Sequence, residues 1–488
     1  MGASVAALCP SAGLCRRANA TSMNCNRRGF LRTLVAATAA LPLTATLPDL
    51  LLAHAATTED QDDNGQFLEQ LERACFEFFW NEADPFTGLV RDRAAADGGD
   101  TRSTASIAAT GFGLTALCIG HSRGYRRAAE IAERAEATLD FLLNRAAQHE
   151  GFFYHFLDIH NGERARFSEL SPMDTAILLC GVLTCRQYFE SARLRSLAAQ
   201  LYERVHWPWA LNRGNTFALS WHPEYGFSPL RWDTYCESMM LYLLALGAPR
   251  HAISAQCWRN IRRPWIKYGE YQFIAGASPL FVHQFSHAWF DFRGRQDGYA
   301  DYFANSVIAC QAHRLFCRQL SSRFSSYSDG VWGITSSDSR QGYVAWGGPP
   351  RQGPIDGTIV PAALAGSLPF VFEDALGVLK SLRARYGKAI WKRYGFVDAF
   401  NPLLGWTSGD VLGIDVGISL LMAENARGEF VWQTFMRNPE ARVAMERAGF
   451  SQLQCAPMLY AVDQAAALAA ENSGKVLAKG QRPAAAKS

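Results

Sequence analysis

The sequence predicts an all-α protein in which an inner and an outer ring of helices form an α/α toroid. Residues 125–147 and 192–206 show amphipathic periodicity, with apolar side chains on one helical face. In contrast, residues 104–119, 174–185 and 234–246 are apolar or small on nearly every side, so each helix must be buried all round. Short β-branched stretches bounded by glycine occur, but they are too few for a principal sheet.

The first 55 residues are predicted to be a twin-arginine export signal. Arg27 and Arg28 directly precede an apolar run at 33–47, and Ala53-His54-Ala55 offers an A-x-A cleavage site. A membrane anchor is the alternative, but prolines interrupt the run, and no later run reaches the roughly 20 residues that span a bilayer. We therefore expect a periplasmic or secreted protein that contacts the twin-arginine machinery transiently and has no stable membrane insertion.

Composition excludes several classes of protein. A chain of 488 residues with 49% hydrophobic side chains can bury one large core or two ordinary ones. Removal of residues 1–55, which hold five Arg and one Asp, leaves 43 basic and 44 acidic groups. This balance excludes nucleic-acid binding through a basic face. The 12% aromatic content, with 13 Trp, suits a carbohydrate cleft or an aromatic-filled core.

The mature chain is predicted to hold one domain. Residues 56–65 are polar and acidic and indicate a linker, residues 66–455 are predicted to form the domain, and residues 456–488 are predicted to form a low-complexity tail, disordered from about 464. Nine of the 12 Cys follow residue 55, without a C-x-x-C motif and mostly inside apolar helical runs. This pattern indicates buried thiols rather than disulfides or a zinc site.

Acidic side chains occur in two loops that precede predicted inner helices. In the first loop Glu169 precedes Ser171 and Pro172, the predicted N-cap and first helical residue, and Asp174 falls in the first turn. In the second loop Glu237 is predicted one turn into an apolar helix, where a carboxylate is costly to bury unless it is paired or functional.

Each of these acids has a structural alternative. Asp174 could be a helix-start carboxylate, and Glu237 could pair with a structural Arg or Lys, while Asp233 is the expected N-cap of the second helix. Two carboxylates at neighbouring helix starts could also supply the acid and base of glycoside cleavage. This signal is weak alone, because the mature chain offers 44 carboxylates.

A third polar region at 283–293 contains His283 and His287 at i, i+4 spacing. No acidic third ligand stands at the helical spacing that an H-E-x-x-H motif would provide, so packing or sugar hydrogen bonding is favoured over a metal site. We expect no metal and no other cofactor.

Taken in order, a set of motifs resembles the bacterial glucoamylase-like domain of glycoside hydrolase family 144, the endo-β-1,2-glucanases, from about residue 66 to about 450. The motifs lie at 109–114, 151–156, 169–171, 174–176, 283–293, 301–303, 305–306, 356–358, 413–415, 422 and 424–425. The chain departs from the family pattern at Pro172-Met173, where Thr-Ile is expected. It also departs at Val416 and Ile418, where Gln and Pro are expected.

The resemblance implies an (α/α)6 barrel, no required metal and inverting endo-cleavage of β-1,2-glucan to sophoro-oligosaccharides. By position, Glu237 is similar to the essential cleft Glu of the family and Glu169 to the acid of its E-L-S loop. We therefore expect an exported glycoside hydrolase in which Glu237 is the general acid, Glu169 acts on the base side and Asp174 is a third catalytic residue.

Substrate-binding residues are expected among aromatic and charged side chains, because aromatic faces stack on pyranose rings and charged groups bind hydroxyls. The candidates are Tyr154, His155, Trp289, Asp291, Arg293, Trp332 and Asp415. Three alternative functions stay open: a transglycosylase of the same fold, a polysaccharide lyase and a glycan-binding protein without catalysis.

Overall fold

The structure is a computed structural model that describes residues 47–350 and 353–453. Most of the predicted export signal, up to residue 46, and the predicted tail from 456 lie outside the described residues. The α-helices in the described part of the chain are α1 (Leu47–Asn81), α2 (Ile107–Arg123), α3 (Ala128–Asn144), α4 (Pro172–Tyr188), α5 (Ala192–Glu203), α6 (Trp207–Ala210), α7 (Met239–Gly247), α8 (Ala255–Arg259), α9 (Tyr302–Leu320), α10 (Pro361–Ala365), α11 (Phe372–Tyr386), α12 (Gly413–Gly428), α13 (Phe430–Phe435) and α14 (Pro439–Ala448).

Buried and half-exposed helices alternate along the chain. The helices α2, α4, α7 and α12 are buried along most of their length, whereas α3, α5 and α11 each bury a single face. The fourth inner position is occupied by the 3-10 turns Leu280–His283 and Phe285–Ala288, and the fifth by the short helix α10. Six inner segments thus follow one another along the chain, with outer helices such as α3, α5 and α11 between them, which confirms the predicted (α/α)6 fold.

The inner helices α2 and α4 cross in direct backbone contact at two glycines. A Cβ built on Gly181 would lie 2.1 Å from the carbonyl oxygen of Gly111, and one built on Gly111 would lie 2.5 Å from the carbonyl oxygen of Ile177. Both distances are far below van der Waals contact, so only glycine allows the helices to approach this closely.

We expect Gly181→Ala to destabilise the fold by about 1–3 kcal/mol, since the added methyl group must push two packed helices apart. The matched control is Gly377→Ala in α11, where a Cβ would have no neighbour within 4 Å. That change is expected to stabilise the protein by up to about 1 kcal/mol, because alanine favours the helix. Urea titrations of both variants measure the difference in the free energy of unfolding. Equal stability of the two would contradict the close backbone contact between α2 and α4.

The ring closes where the last inner helix α12 packs against α1 and α2. Near its end, Arg427 donates to Glu69 and to Glu72, both at 2.6 Å, and Arg123 at the end of α2 donates to Glu424 at 2.8 Å. Glu72 is fully buried, and burial together with the charge of Glu424 raises its pKa to about 8 against the opposing effect of Arg427 and Arg123.

The strands are short, and in the described residues they form two-stranded ladders rather than a principal sheet. They are β1 (Arg93–Ala95), β2 (Thr104–Ser106), β3 (Gln148–His149), β4 (Phe152–Phe153), β5 (Phe156–Asp158), β6 (Phe217–Ala218), β7 (Trp221–His222), β8 (Gly226–Phe227), β9 (Arg231–Trp232), β10 (Trp265–Tyr268), β11 (Tyr271–Ile274), β12 (Arg295–Gln296), β13 (Ser337–Ser339), β14 (Gly342–Val344), β15 (Trp391–Lys392), β16 (Gly395–Phe396), β17 (Phe400–Asn401), β18 (Trp406–Thr407), β19 (Asp410–Leu412) and β20 (Ser451–Gln452).

Two of these ladders fasten the loops at the N-terminal ends of the inner helices. Strand β2 leads directly into α2 and pairs with β5, and β19 leads directly into α12 and pairs with β1. Because inner helices of a toroid run in the same direction, their N-terminal ends and these loops surround one mouth of the barrel.

The predicted linker at 56–65 differs from the structure. The backbone is helical through these residues as part of α1. At its C-terminal part, Lys380 of α11 forms an ion pair with Asp63 and donates to Asn64 at 2.9 Å. The polar composition that indicated a linker therefore belongs to a helix, in which Asp63 is paired with a base on a neighbouring helix.

Two further findings concern membrane spans and thiols. Within the described residues, no helix is both long enough and apolar enough to cross a bilayer. The Cys side chains described there are buried and unbridged, and Cys118 and Cys185 lie 3.6 Å apart between their sulfur atoms.

Candidate active site

His155 lies between two carboxylates at the mouth of the barrel. Its backbone N–H donates to the carbonyl oxygen of Glu169 at 2.8 Å, which places the histidine loop against the Glu169 loop. The ring Nδ1 lies 2.8 Å from Oε1 of Glu169, and Nε2 lies 3.7 Å from Oδ1 of Asp174. Burial alone would lower the pKa of His155, but Asp174 and Glu169 together raise that pKa to about 9. The ring is therefore a cation at neutral pH.

The positive charge of His155 affects the pKa values of Glu169 and Asp174 differently. Burial favours the neutral form of Glu169, but the hydrogen bond and the charge of His155 outweigh burial and lower its pKa to about 2. For Asp174 burial dominates, and its pKa stays above the usual value in spite of His155. Glu169 is consequently an ionised carboxylate over the whole physiological pH range.

The local structure around Asp174 follows the sequence prediction. Ser171 is the N-cap of α4, with its hydroxyl oxygen accepting from the backbone N–H of Asp174 at 3.2 Å, and Pro172 is the first helical residue. Asp174 stands in the first turn as predicted, and it also faces His155. Its helix-start position and its place at the mouth are therefore compatible.

Glu237 lies in the turn just before α7, rather than one turn inside the helix as predicted. The start is set from outside the helix, because the hydroxyl of Ser286 donates to the carbonyl oxygen of Glu237 at 2.6 Å and accepts from the N–H of Met240 at 3.0 Å. Asp233 is not the N-cap. It is exposed to solvent and pairs with Arg262 at 2.9 Å.

Glu237 has the environment of a protonated acid. Its side chain is buried, and among the described residues it forms no ion pair with Lys or Arg. Burial raises the pKa of Glu237 to about 7, and the negative charge of Asp174 contributes to that rise. Asp174 is thus within electrostatic reach of both Glu237 and His155.

Further buried acidic side chains lie at and near the start of α12. Asp415 stands in its first turn, and burial raises its pKa. The neighbouring Asp398 is also buried, and burial together with the charge of Asp415 raises its pKa well above the usual value. The backbone N–H of Asp338 donates to Asp398 at 2.6 Å, and Arg93 donates to Asp338 at 2.9 Å.

Sequence reasoning missed Asp398, Asp338 and Arg93. Arg93 lies in β1, Asp338 in β13 and Asp398 in a loop, and no motif or regular spacing relates them. Asp92, next to Arg93, lies within electrostatic reach of both His155 and Asp415. The acidic residues at the start of α12 and the residues around His155 therefore line the same mouth.

Two predicted substrate-binding aromatics are core residues instead. Trp289 is fully buried, donates to the hydroxyl of Thr115 at 3.0 Å and packs on Phe112 at 4.9 Å between ring centroids. Trp332 is also fully buried. A ring without an exposed face cannot stack on a sugar, so the aromatic content at these positions fills the interior.

Asp291 and Arg293 lie at the opposite end of the barrel. Arg293 donates to Asp291 at 2.9 Å and to Glu429 at 2.5 Å, and its guanidinium stacks 4.1 Å from the ring centroid of Trp432. Glu429 follows the last turn of α12, whereas Asp415 is in the first turn, roughly 20 Å away at 1.5 Å per residue. These two residues therefore form a structural ion pair, which corrects their assignment to the substrate.

The remaining candidates have other partners. Tyr154 is half-buried under the guanidinium of Arg164, which lies 5.0 Å from its ring centroid. His283 and His287 are buried and bonded to Tyr235 and Ser306 at 3.1 Å each, as the packing alternative predicted. In the described part of the chain, no group of three or more His, Cys, Asp or Glu is placed to hold a metal ion.

Comparisons with known proteins agree with this architecture. The family model named Glycoamylase matches residues 229–439. The exo β-1,2-glucooligosaccharide sophorohydrolase (non-reducing end) of Parabacteroides distasonis is 26% identical over 436 residues, which cover 80% of this chain and 59% of that protein. The chain thus spans about three fifths of the length of this curated relative.

Solved structures show the same fold. The endo-β-1,2-glucanase of Chitinophaga pinensis, in complex with sophorotriose and glucose, is 27% identical with a TM-score of 0.75, and the match covers 80% of this chain and 99% of that one. The β-1,2-glucanase of Parabacteroides distasonis gives a TM-score of 0.72 at 23% identity, with 79% and 60% covered, and supports the fold alone. The family model and the Chitinophaga pinensis structure together confirm the resemblance of this chain to the glucoamylase-like domain of glycoside hydrolase family 144.

Proposed function

We propose that this protein is an exported glycoside hydrolase that cleaves β-1,2-glucan internally with inversion at the anomeric carbon. One observation carries the proposal. Two carboxyl groups on adjacent loops of the mouth have their pKa values moved in opposite directions, to about 7 for Glu237 and about 2 for Glu169. Glycoside cleavage requires one protonated and one ionised carboxyl group, so this difference in pKa supports Glu237 as the acid and Glu169 on the base side.

The groups perform complementary steps. Glu237, protonated at neutral pH, donates its proton to the glycosidic oxygen as the bond from that oxygen to the anomeric carbon breaks. A water molecule adds to the anomeric carbon from the opposite face and transfers a proton to the base side, where Glu169 is ionised. His155 holds Glu169 in place, and Asp174 favours the protonated form of Glu237.

The choice of substrate rests on the relatives. Two proteins that share 26–27% identity with this chain are named for activity on β-1,2-linked glucans, one as an endo-enzyme and one as an exo-enzyme. The endo assignment follows the Chitinophaga pinensis structure, of which nearly the whole chain is matched.

A reducing-sugar assay on β-1,2-, β-1,3-, β-1,4- and α-1,4-glucans tests the function. We expect turnover on β-1,2-glucan, a range of sophoro-oligosaccharides and α-anomeric products in NMR spectra taken early in the reaction. Lengthened or cyclised chains without new reducing ends would favour the transglycosylase. Products that absorb in the ultraviolet would favour a lyase, and binding without turnover would favour a glycan-binding protein.

The pH profile is expected to fall on its alkaline side near pH 7. The pKa of Glu237 is raised to about 7, and the required form is the protonated one. Activity is therefore present below this value and is lost as pH rises through it, about tenfold per unit. Measurement of kcat/KM from pH 4 to 9 checks this limb, and activity that increases from pH 7 to 9 would contradict the acid role.

Export is the part of the proposal that rests on the sequence alone. Replacement of Arg27 and Arg28 by Lys is expected to retain folded precursor in the cytoplasm, because twin-arginine recognition depends on the arginine pair. Fractionation of cells that express both forms measures this, with Arg16→Lys and Arg17→Lys as the control. Unchanged export of the Arg27 and Arg28 variant would refute the assignment.

A further inference from the structure

Two large aromatic side chains, one on the Glu169 loop and one on the hairpin that pairs with this loop, are exposed to solvent. Phe167 is 83% exposed and Tyr225 is 71% exposed. Phe167 precedes Glu169 by two residues, and Tyr225 lies in the turn between β7 and β8. Neither ring is buried by other residues in the described part of the chain, although many other aromatic rings there are buried.

The backbone presents Phe167 to solvent at a conformational cost. Arg166 and Phe167 both have positive φ, at 55° and 51°, a region that non-glycine residues seldom adopt. Arg164 compensates by donating to the carbonyl oxygens of Phe167 at 2.9 Å and Ser168 at 2.6 Å. Strained backbone that is supported in this way occurs mainly at binding and catalytic sites.

Arg164 also joins this loop to the one that carries Tyr225. Its guanidinium forms a two-point ion pair with Glu224, at 2.5 and 3.1 Å, next to Tyr225 in the chain. The hairpin of β7 and β8 is also joined to the Glu169 loop by its backbone, since Trp221 and Leu170 exchange two hydrogen bonds of 2.8 and 3.0 Å. The positions of both rings are thus set by the residues that surround Glu169.

Tyr225 is linked to the acidic site through His222. The two rings stack at 4.2 Å between centroids, with an interplanar angle of 27°. His222 in turn lies within electrostatic reach of Glu169. One face of the tyrosine is supported by the histidine, which leaves the other available to a ligand.

We propose that Phe167 and Tyr225 form an outer glucan subsite that stacks on glucosyl rings away from the bond that is cleaved. This subsite rests on the proposed function and identifies protein residues that the polymer contacts. Two separate aromatic faces bordered by Arg164, Glu224 and His222 match a sugar chain, whose rings have apolar faces and hydroxyl edges. The exposed area of two rings is far below that of a stable protein interface.

The prediction is a change in chain-length preference. The measured quantity is kcat/KM for long β-1,2-glucan divided by kcat/KM for the shortest sophoro-oligosaccharide that is cleaved. Phe167→Ala and Tyr225→Ala are each expected to lower this ratio by about threefold to tenfold, the usual contribution of one aromatic contact. The conservative changes Phe167→Tyr and Tyr225→Phe keep the ring and should keep the ratio.

Phe86→Ala is the matched control, because Phe86 is 86% exposed on a different loop. It should leave the ratio at the wild-type value, and an equal decrease in this variant would overturn the assignment to Phe167 and Tyr225. All three side chains are exposed, so their removal leaves the core intact. Circular dichroism confirms that each variant is folded.

Affinity electrophoresis through gels that contain β-1,2-glucan measures binding without turnover. Weaker retardation of the two alanine variants than of wild type and Phe86→Ala would support the subsite. If wild type cleaves and binds the glucan while both variants equal it at every chain length, the subsite is refuted and the function stands. If wild type neither cleaves nor binds any β-1,2-glucan, the function is refuted, and the subsite with it.

Discussion

Replacement of Glu237 by Gln is expected to lower turnover of β-1,2-glucan by about 10²–10⁴-fold, the usual contribution of a general acid. This corresponds to about 3–5 kcal/mol of transition-state stabilisation. Gln has nearly the same shape, so burial is maintained and only the transferable proton is lost. Since Glu237 forms no ion pair with a basic side chain in the described residues, its neutral replacement leaves no buried charge without a partner.

The control for this variant is Asp233→Asn on the same loop, where the carboxylate is exposed and pairs with Arg262. That change should leave turnover within about twofold of wild type, because exposed ion pairs contribute little. An aryl β-sophoroside with an acidic phenol should suffer a smaller loss in Glu237→Gln than the glucan does, since its leaving group needs no proton. If Glu237→Gln keeps more than about a tenth of glucan turnover, the acid assignment is wrong.

Glu169→Gln is the second change with a large expected effect, again about 10²–10⁴-fold in kcat. The amide oxygen can still accept the hydrogen bond from Nδ1 of His155, so the loop keeps its geometry while the negative charge is removed. The pKa of His155, raised to about 9 by Asp174 and Glu169, should therefore decrease. An NMR titration of the ring measures this shift independently of activity.

Glu163→Gln on the same loop is the matched control, because Glu163 is exposed and remote from His155 in its contacts. It should alter neither turnover nor the titration of the imidazole. If Glu169→Gln lowers the pKa of His155 but keeps wild-type turnover, the contact between the two residues is supported. Glu169 is then not part of the base side. A pKa that stays near 9 would contradict the charge coupling itself.

Local patterns were sufficient to predict the architecture. The apolar character of α2, α4 and α7 on every side required full burial, and the single apolar faces of α3 and α5 required an outer position. Ser171 and Pro172 likewise marked the start of α4, because capping depends on neighbouring residues of the same segment. Periodicity and capping are properties of a short stretch of chain, so the sequence contains them directly.

The site needed information that a single segment does not contain. Glu237 was expected inside a helix, but a hydroxyl from the 3-10 turn of Ser286 determines where α7 begins. Asp398 and Asp338 were not predicted, because each becomes part of the mouth only through contacts with distant loops.

The sequence alone thus determined an alternation of buried and amphipathic helices, the start of α4 and the acidic residues at two helix starts. Only the tertiary structure decided which aromatic rings are enclosed, as for Trp289, and at which end of the barrel a charge lies, as for Arg293. It also decided the protonation states of Glu237 and Glu169, because the pKa of a carboxyl group depends on burial and on charges brought close by long-range packing. Helix formation follows from neighbours along the chain, whereas exposure and electrostatics follow from neighbours in space.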